Sequence, residues 1–209
     1  MSRTLRLACL ISGGGRTMMN LASQIDASTL DASIELVIAT REDIAGVPRA
    51  RSLGLDVKIT PLARNGSFDE AHDFITRCVD EANIDLICLC GYLRLIRLDP
   101  PLRDKVINIH PALLPSFGGR GMYGAHVHRA VLGAGMTYSG CTVHFVDEEY
   151  DHGPTILQRP CPVEPEDDAD SLAARVFQQE CLAYPEAIQL FAMNRIRLET
   201  GQVVILPET

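Results

Sequence analysis

The sequence predicts an α/β fold, a mostly parallel twisted sheet with helices on both faces. Three observations carry that prediction. Short β-rich apolar runs alternate with amphipathic segments through the first half. One of these runs opens directly into a glycine triplet at a helix start, and another is stopped by a proline. Such alternation implies βαβ units, hence parallel strands joined by crossover helices.

In chain order, Leu5–Ser12 reads as a strand and Thr17–Asp26 as a helix. Ser33–Thr40 and Leu55–Thr60 read as strands, Ile44–Leu53 and Phe68–Ala82 as helices, and Ile84–Gly91 as a strand. Val106–His110 is a further strand, ended by Pro111, which lacks a ladder donor and restricts the residue before it. A glycine-rich loop from Ser116 to Gly124 leads to a short helix near His126–Leu132. Two apolar runs, Ser139–Val146 and Thr155–Val163, flank a turn at Asp147–Pro154. A long helix is expected from about Asp168, with Asp167, Asp168 and Asp170 in its first turn facing the positive end of the macrodipole. Ile196–Ile205 closes the chain. Neither an internal repeat nor a linker is visible.

The chain has 209 residues, 46% hydrophobic and 22% charged, ordinary globular usage that excludes disordered, collagenous and coiled-coil classes. That length favours one α/β domain spanning 1–209. Acids outnumber bases 27 to 19, and the net charge of -8 repels nucleic-acid phosphates and anionic membranes, so neither is an expected partner. Seven cysteines, Cys9, Cys78, Cys88, Cys90, Cys141, Cys161 and Cys181, include no C-x-x-C pair, which fits a reduced, cytoplasmic chain. The apolar stretch after Arg3 and Arg6, Leu7 to Ile11, is too short for a signal-peptide core, and no run approaches the ~20 residues of a membrane helix.

Gly13-Gly14-Gly15-Arg16-Thr17 joins the first strand to a helix, where backbone N–H groups and the helix dipole favour an anion. The loop lacks the Gly-Lys-Ser/Thr ending of a P-loop, and Met18 stands where a dinucleotide fingerprint has its third glycine, so it suits a phosphate monoester. The alternative is a glycine turn needed for packing. Asn108 and His110 share a strand face at the carboxyl end, where open parallel sheets bind ligands. Buried unpaired they would cost roughly 1–3 kcal/mol each, so they are either a satisfied core pair or part of a site. Asp147, Glu148, Glu149 and Asp151 crowd one turn. An acid beside His110 would raise its pKa and keep an acid catalyst charged, but the residues alone leave the choice among the four open. His126-x-His128 with His110, His144 and His152 invites a metal reading, yet two helical residues two apart share no face and no zinc frame is present, so no metal is expected.

These landmarks, in this order, resemble the phosphoribosylglycinamide formyltransferases, folate-dependent enzymes of purine biosynthesis. The resemblance rests on Ser12–Gly15, Gly91-Tyr92-Leu93-Arg94-Leu95-Ile96, Asn108-Ile109-His110-Pro111-Ala112-Leu113-Leu114-Pro115, His126-Val127-His128-Arg129, Val143-His144-Phe145-Val146, Tyr150-Asp151-His152-Gly153-Pro154 and Ile156-Leu157-Gln158. It implies a Rossmann-like formyltransferase domain in which residues 1–105 bind phosphate and residues 106–209 carry catalysis and folate. It also implies transfer of formyl from 10-formyltetrahydrofolate, as cosubstrate, to 5-phosphoribosylglycinamide, by a monomer or homodimer that takes small-molecule substrates.

By the same resemblance Asn108, His110 and Asp151 are catalytic. Gly13, Gly14, Gly15, Arg16, Thr17, Pro111 and Glu180 hold the nucleotide, and Leu93, Arg94, Leu95, Ile96, Asn108, Glu148, Glu149, Tyr150 and Asp151 receive the folate. Three departures stand out: Arg16-Thr17 after the glycines, a long segment from Ser116 to Gly124, and Phe177 one turn before Glu180. Formyltetrahydrofolate hydrolase, which carries an extra N-terminal domain, methionyl-tRNA formyltransferase, which needs a basic C-terminal domain, and a non-catalytic nucleotide-binding module are the competing expectations.

Overall fold

The structure is a computed structural model that describes residues 4–61, 66–100 and 102–207. Arg3, which with Arg6 precedes the apolar stretch Leu7 to Ile11, lies outside the described residues. The chain divides into two compact units, Met1–Ile107 and Asn108–Thr209.

In the first unit, β1 (Leu5–Ile11), β2 (Ala32–Ala39), β3 (Val57–Ile59) and β4 (Leu86–Leu89) lie in the order β3-β2-β1-β4. Every pairing among them is parallel. Helices α1 (Arg16–Asp26), α2 (Gly46–Ser52) and α3 (Phe68–Glu81) make the crossovers. Leu7–Ile11 are fully buried, as expected for a strand covered on both faces. Each such leucine or isoleucine contributes roughly 1.5–3 kcal/mol of burial. Ser67 caps α3 reciprocally with Glu70, so that helix starts where the Ser-x-x-Glu spacing places it.

The second unit takes the end of β5 (Val106–His110), then α4 (Ala125–Gly133), β6 (Tyr138–Phe145), β7 (Thr155–Pro162), α5 (Ala169–Ala192), β8 (Ile196–Glu199) and β9 (Gln202–Ile205). The sheet order is β5-β6-β7, with β6 and β7 antiparallel and β7 at the edge. Helix α5 packs on β6, β7 and α4, and buries Leu172, Val176, Tyr184 and Ile188.

Several boundaries differ from the sequence reading. Helix α2 begins at Gly46 rather than Ile44, with Pro48 in its first turn, where no N–H is needed. Strand β4 ends at Leu89 rather than Gly91, which sits at φ 78. The closing run is a hairpin: Ile196–Glu199 and Gln202–Ile205 pair around Thr200 and Gly201, at φ 49 and 79, the positive angles of a tight primed turn. Of the three aspartates expected in the first turn of α5, Asp168 is the N-cap and Asp170 lies inside. Asp167 precedes the helix and pairs with Arg175. Among the described residues, no helix is long and apolar enough to cross a membrane. The seven cysteines are free thiols, all buried except the half-buried Cys181.

Candidate active site

Alternation along β5 puts Asn108 and His110 on one face. Alternation along β6 does the same for Thr142 and His144, both buried polar residues. The turn after β6 brings Asp151 to them. Asp151 sits at φ 55, a left-handed conformation that aspartate and asparagine tolerate better than most residues. Gly153 follows because nothing larger fits: a Cβ there would lie 2.0 Å from the Phe145 carbonyl oxygen.

The carboxylate of Asp151, only 10% exposed, is the hub. Oδ1 accepts from Asn108 Nδ2 at 3.3 Å, and Oδ2 accepts from the Gly119 backbone N–H at 3.0 Å. His110, 3% exposed, places Nδ1 3.3 Å from Oδ2 and Nε2 2.8 Å from the Phe117 carbonyl. Both of its ring nitrogens therefore face acceptors. Burial pushes the Asp151 pKa up, but the His110 hydrogen bond and charge and the Gly119 N–H outweigh it and hold the carboxyl below its ordinary range. Of the four acids in the turn, Asp151 is the one beside His110. Asp147 pairs instead with exposed His152 at 2.6 Å, and Glu148, Glu149 and Tyr150 are exposed.

His144 fixes the orientation of Asn108. Its Nδ1 donates to the Phe145 carbonyl at 2.7 Å, and burial lowers its pKa, so the ring is neutral and Nε2 is a bare acceptor. Asn108 Nδ2 lies 3.2 Å from that nitrogen. Both amide hydrogens are then committed, one to Asp151 and one to His144, and the carbonyl oxygen of Asn108 is left without a protein partner among the described residues. The rigid exit from β5 has its own hub in Thr142. Its Oγ1 donates to the Ala112 carbonyl at 2.7 Å and accepts from Leu114 N–H and Gln158 Nε2.

Sequence reasoning missed His144, Thr142 and the loop backbone at Phe117 and Gly119. Thr142 and His144 carry the same signal as Asn108 and His110, polar residues two apart in a buried strand. The loop contacts had none, since backbone groups donate and accept whatever the side chain. The other histidines go separate ways. His126 meets Tyr123 edge-on at 5.4 Å, and His128 is buried, its pKa lowered first by desolvation and then by the charge of His110. Among the described residues, no group of three or more histidine, cysteine or acidic side chains could hold a metal ion. Pro111 follows His110 half-buried, and Glu180 and Phe177 lie half-buried on α5. Burial, then the charge of Glu180, pushes the Cys141 thiol up to about 12.

The glycine loop belongs to the first unit. Gly15, at φ 68, is the N-cap of α1, which has no side-chain cap and no acid in its first turn. Gly13 and Gly14 are exposed, as is Arg16, while Thr17 is half-buried. Ser12 ties this loop to the segment Gly91–Ile96 in both directions: its N–H donates to the Gly91 carbonyl and its Oγ accepts from Leu93 N–H, each at 3.1 Å. Leu93 and Arg94 are exposed there, Leu95 half-buried and Ile96 buried.

The pattern of the formyl transferase family matches residues 5–188. A chloroplastic phosphoribosylglycinamide formyltransferase of Vigna unguiculata is 34% identical over 196 residues, covering 93% of this chain and 63% of that protein. The phosphoribosylglycinamide formyltransferase of Haemophilus influenzae is 33% identical over 197 residues, covering 93% and 90%. The crystal structure of glycinamide ribonucleotide transformylase 1 from Symbiobacterium toebii superimposes with a TM-score of 0.89 at 35% identity, covering 98% and 95%. The mostly parallel α/β architecture matches that structure. With a family pattern that runs from β1 well into α5, and a fold to match it, this chain belongs to the formyl transferase family.

Proposed function

We propose that this enzyme moves the formyl group of 10-formyltetrahydrofolate onto the amine of 5-phosphoribosylglycinamide, a step of de novo purine synthesis. The observation that carries the reading is the buried Asp151 hub, with Asn108 on one oxygen and His110 on the other. Formyl transfer requires the amine nitrogen to bond to the formyl carbon while the bond from that carbon to N10 breaks. The amine loses a proton, N10 gains one, and the formyl oxygen carries negative charge in between. His110 Nε2–H suits that oxygen: the Phe117 carbonyl, 2.8 Å away, marks a place an oxygen can occupy, and substrate takes it over when the loop carbonyl withdraws.

In this reading Asn108 serves as an acceptor. A side-chain amide could donate to the oxyanion, but here both its hydrogens are engaged by Asp151 and His144. The bare carbonyl oxygen can accept from the attacking amine and turn its lone pair toward carbon. Asp151 keeps both partners aligned and balances the His110 charge. The reading gives Gly13–Thr17 the nucleotide phosphate and Pro111 and Glu180 its glycinamide ribose. Leu93–Ile96, with the Glu148–Asp151 turn, takes the folate, and no metal enters. An exposed leucine beside buried Ile96 suits a flat pterin ring.

The test is a steady-state assay with both substrates. Formylated nucleotide forming at the rate folate is consumed supports the reading. Formate released equally without the nucleotide would make the protein a hydrolase, and no turnover of either kind would leave a binding module.

A further inference from the structure

We infer that Arg49, on α2, is a positioning residue that gives the enzyme its preference for a phosphorylated over an unphosphorylated ribosyl substrate; this rests on the reading of Gly13–Thr17 as the phosphate loop. Helix α2 reaches the loop at two points one turn apart. Gly46 N–H donates to the Gly13 carbonyl at 3.0 Å, and Arg49 Nη1 donates to the Gly14 carbonyl at 2.6 Å. The approach at Gly46 is too close for a side chain, since a Cβ there would lie 2.7 Å from Ile11 and 2.8 Å from the Gly13 carbonyl oxygen. A planar trans peptide carries its C=O and N–H on opposite sides. Holding the carbonyls of Gly13 and Gly14 therefore fixes the N–H groups of Gly14 and Gly15, directing them away from the groups that hold the carbonyls. The N-terminus of α1 adds its own N–H groups to theirs.

Charge distinguishes Arg49 from its neighbours. Arg41 is paired with Asp43 at 3.0 Å and Arg51 with Glu42 at 2.6 Å. Arg49, among the described residues, is held by a carbonyl rather than a carboxylate. Its positive charge is delivered to the glycine loop without being cancelled, in a protein whose net charge of -8 otherwise disfavours anions. A dianionic phosphate would feel both the aimed N–H groups and the guanidinium, whereas a free hydroxyl would gain little from either.

The experiment compares the parent, Arg49→Ala and Arg49→Lys, using ribose 5-phosphate and ribose as probes. Binding is followed by calorimetry and by the backbone amide resonances of Gly14, Gly15 and Thr17. In Arg49→Ala the affinity for ribose 5-phosphate should fall about tenfold, the scale of one charge-assisted hydrogen bond. Ribose binding should not change, and Lys should restore some of the loss. In the full reaction the nucleotide KM should rise by a similar factor, with kcat and the folate KM within about twofold of the parent. Amide shifts in the parent, with equal ribose 5-phosphate affinity in all three proteins, would overturn the role of Arg49 alone. Absence of shifts at Gly14, Gly15 and Thr17 in the parent would overturn the phosphate-loop reading and this inference with it. Equal losses for ribose 5-phosphate, ribose and folate in Arg49→Ala would mark general damage and also reject the proposal.

Discussion

Asp151→Asn tests the hub with little disturbance elsewhere. Asparagine is as tolerant as aspartate of the φ of 55 at this position, so the backbone should hold. The change removes one acceptor oxygen and substitutes an NH2 group. If the amide oxygen faces His110 and Gly119, its NH2 meets the NH2 of Asn108. If it faces Asn108, the NH2 meets both the Gly119 N–H and His110 Nδ1, so the first orientation wins. One hydrogen bond to a charged group is then lost outright and two are weakened, with each such bond contributing about 1.5–3 kcal/mol. Unfolding free energy at pH 7.5 should drop by about 2–4 kcal/mol.

The kcat should fall by about 100- to 1000-fold, because His110 and Asn108 both lose the carboxylate that aligns them. Since the folded Asp151 pKa lies below its unfolded value of about 3.9, its contribution is complete above that value and disappears as pH falls through the folded pKa. Urea titrations of both proteins should therefore differ by a constant amount from pH 7.5 to about 5 and converge in stronger acid. A variant with kcat within threefold of the parent, and the same stability at every pH, would refute this account of the hub.

Asn108→Ala should lower kcat by about 100-fold or more while the nucleotide Kd stays within about threefold, as stopped-flow and equilibrium binding would show. His128 and His144 are both held neutral by burial, with folded pKa values below the unfolded value of about 6.5, so stability is full above that pH and declines as pH falls toward the folded values. His144→Gln should flatten that decline in urea titrations between pH 7.5 and 5.5. Thr142→Val strips the Ala112 carbonyl, Leu114 N–H and Gln158 of a shared partner and should cost about 2–4 kcal/mol by urea titration. Gly153→Ala should lose at least about 3 kcal/mol in thermal unfolding, since the obstructing atom is backbone rather than a side chain that can turn aside.

Period and punctuation made much of this fold legible. Alternating runs gave β1 to β4 their parallel crossovers, and Pro111 ended β5 where the proline rule places it. Parity along a strand brought Asn108 and His110 to one face, and the resemblance singled out Asp151. What stayed hidden depends on contacts distant in sequence or on the main chain. Nothing local marks the Phe117 carbonyl as the partner of His110 Nε2, or Gly119 N–H as that of Asp151. The tautomer of His144 follows from the Phe145 carbonyl, and only then does the direction of Asn108 follow. The C-terminal hairpin was legible in principle: Thr200-Gly201 is a turn dipeptide inside the apolar run Ile196–Ile205.

Strand β7 bears on how the molecule behaves in crowded solution. Val163 N–H donates inward to Thr137 on the β6 side, so the inward-facing donors fall on odd positions and those of 160 and 162 would point outward. Both of these residues are proline. The outer rim of the sheet thus lacks two successive donors that an incoming strand would need, without any loss to the pairing with β6. Strand-by-strand polymerisation through this edge is disfavoured by composition alone. Association of copies at this edge is then left to side chains more than to extension of the sheet.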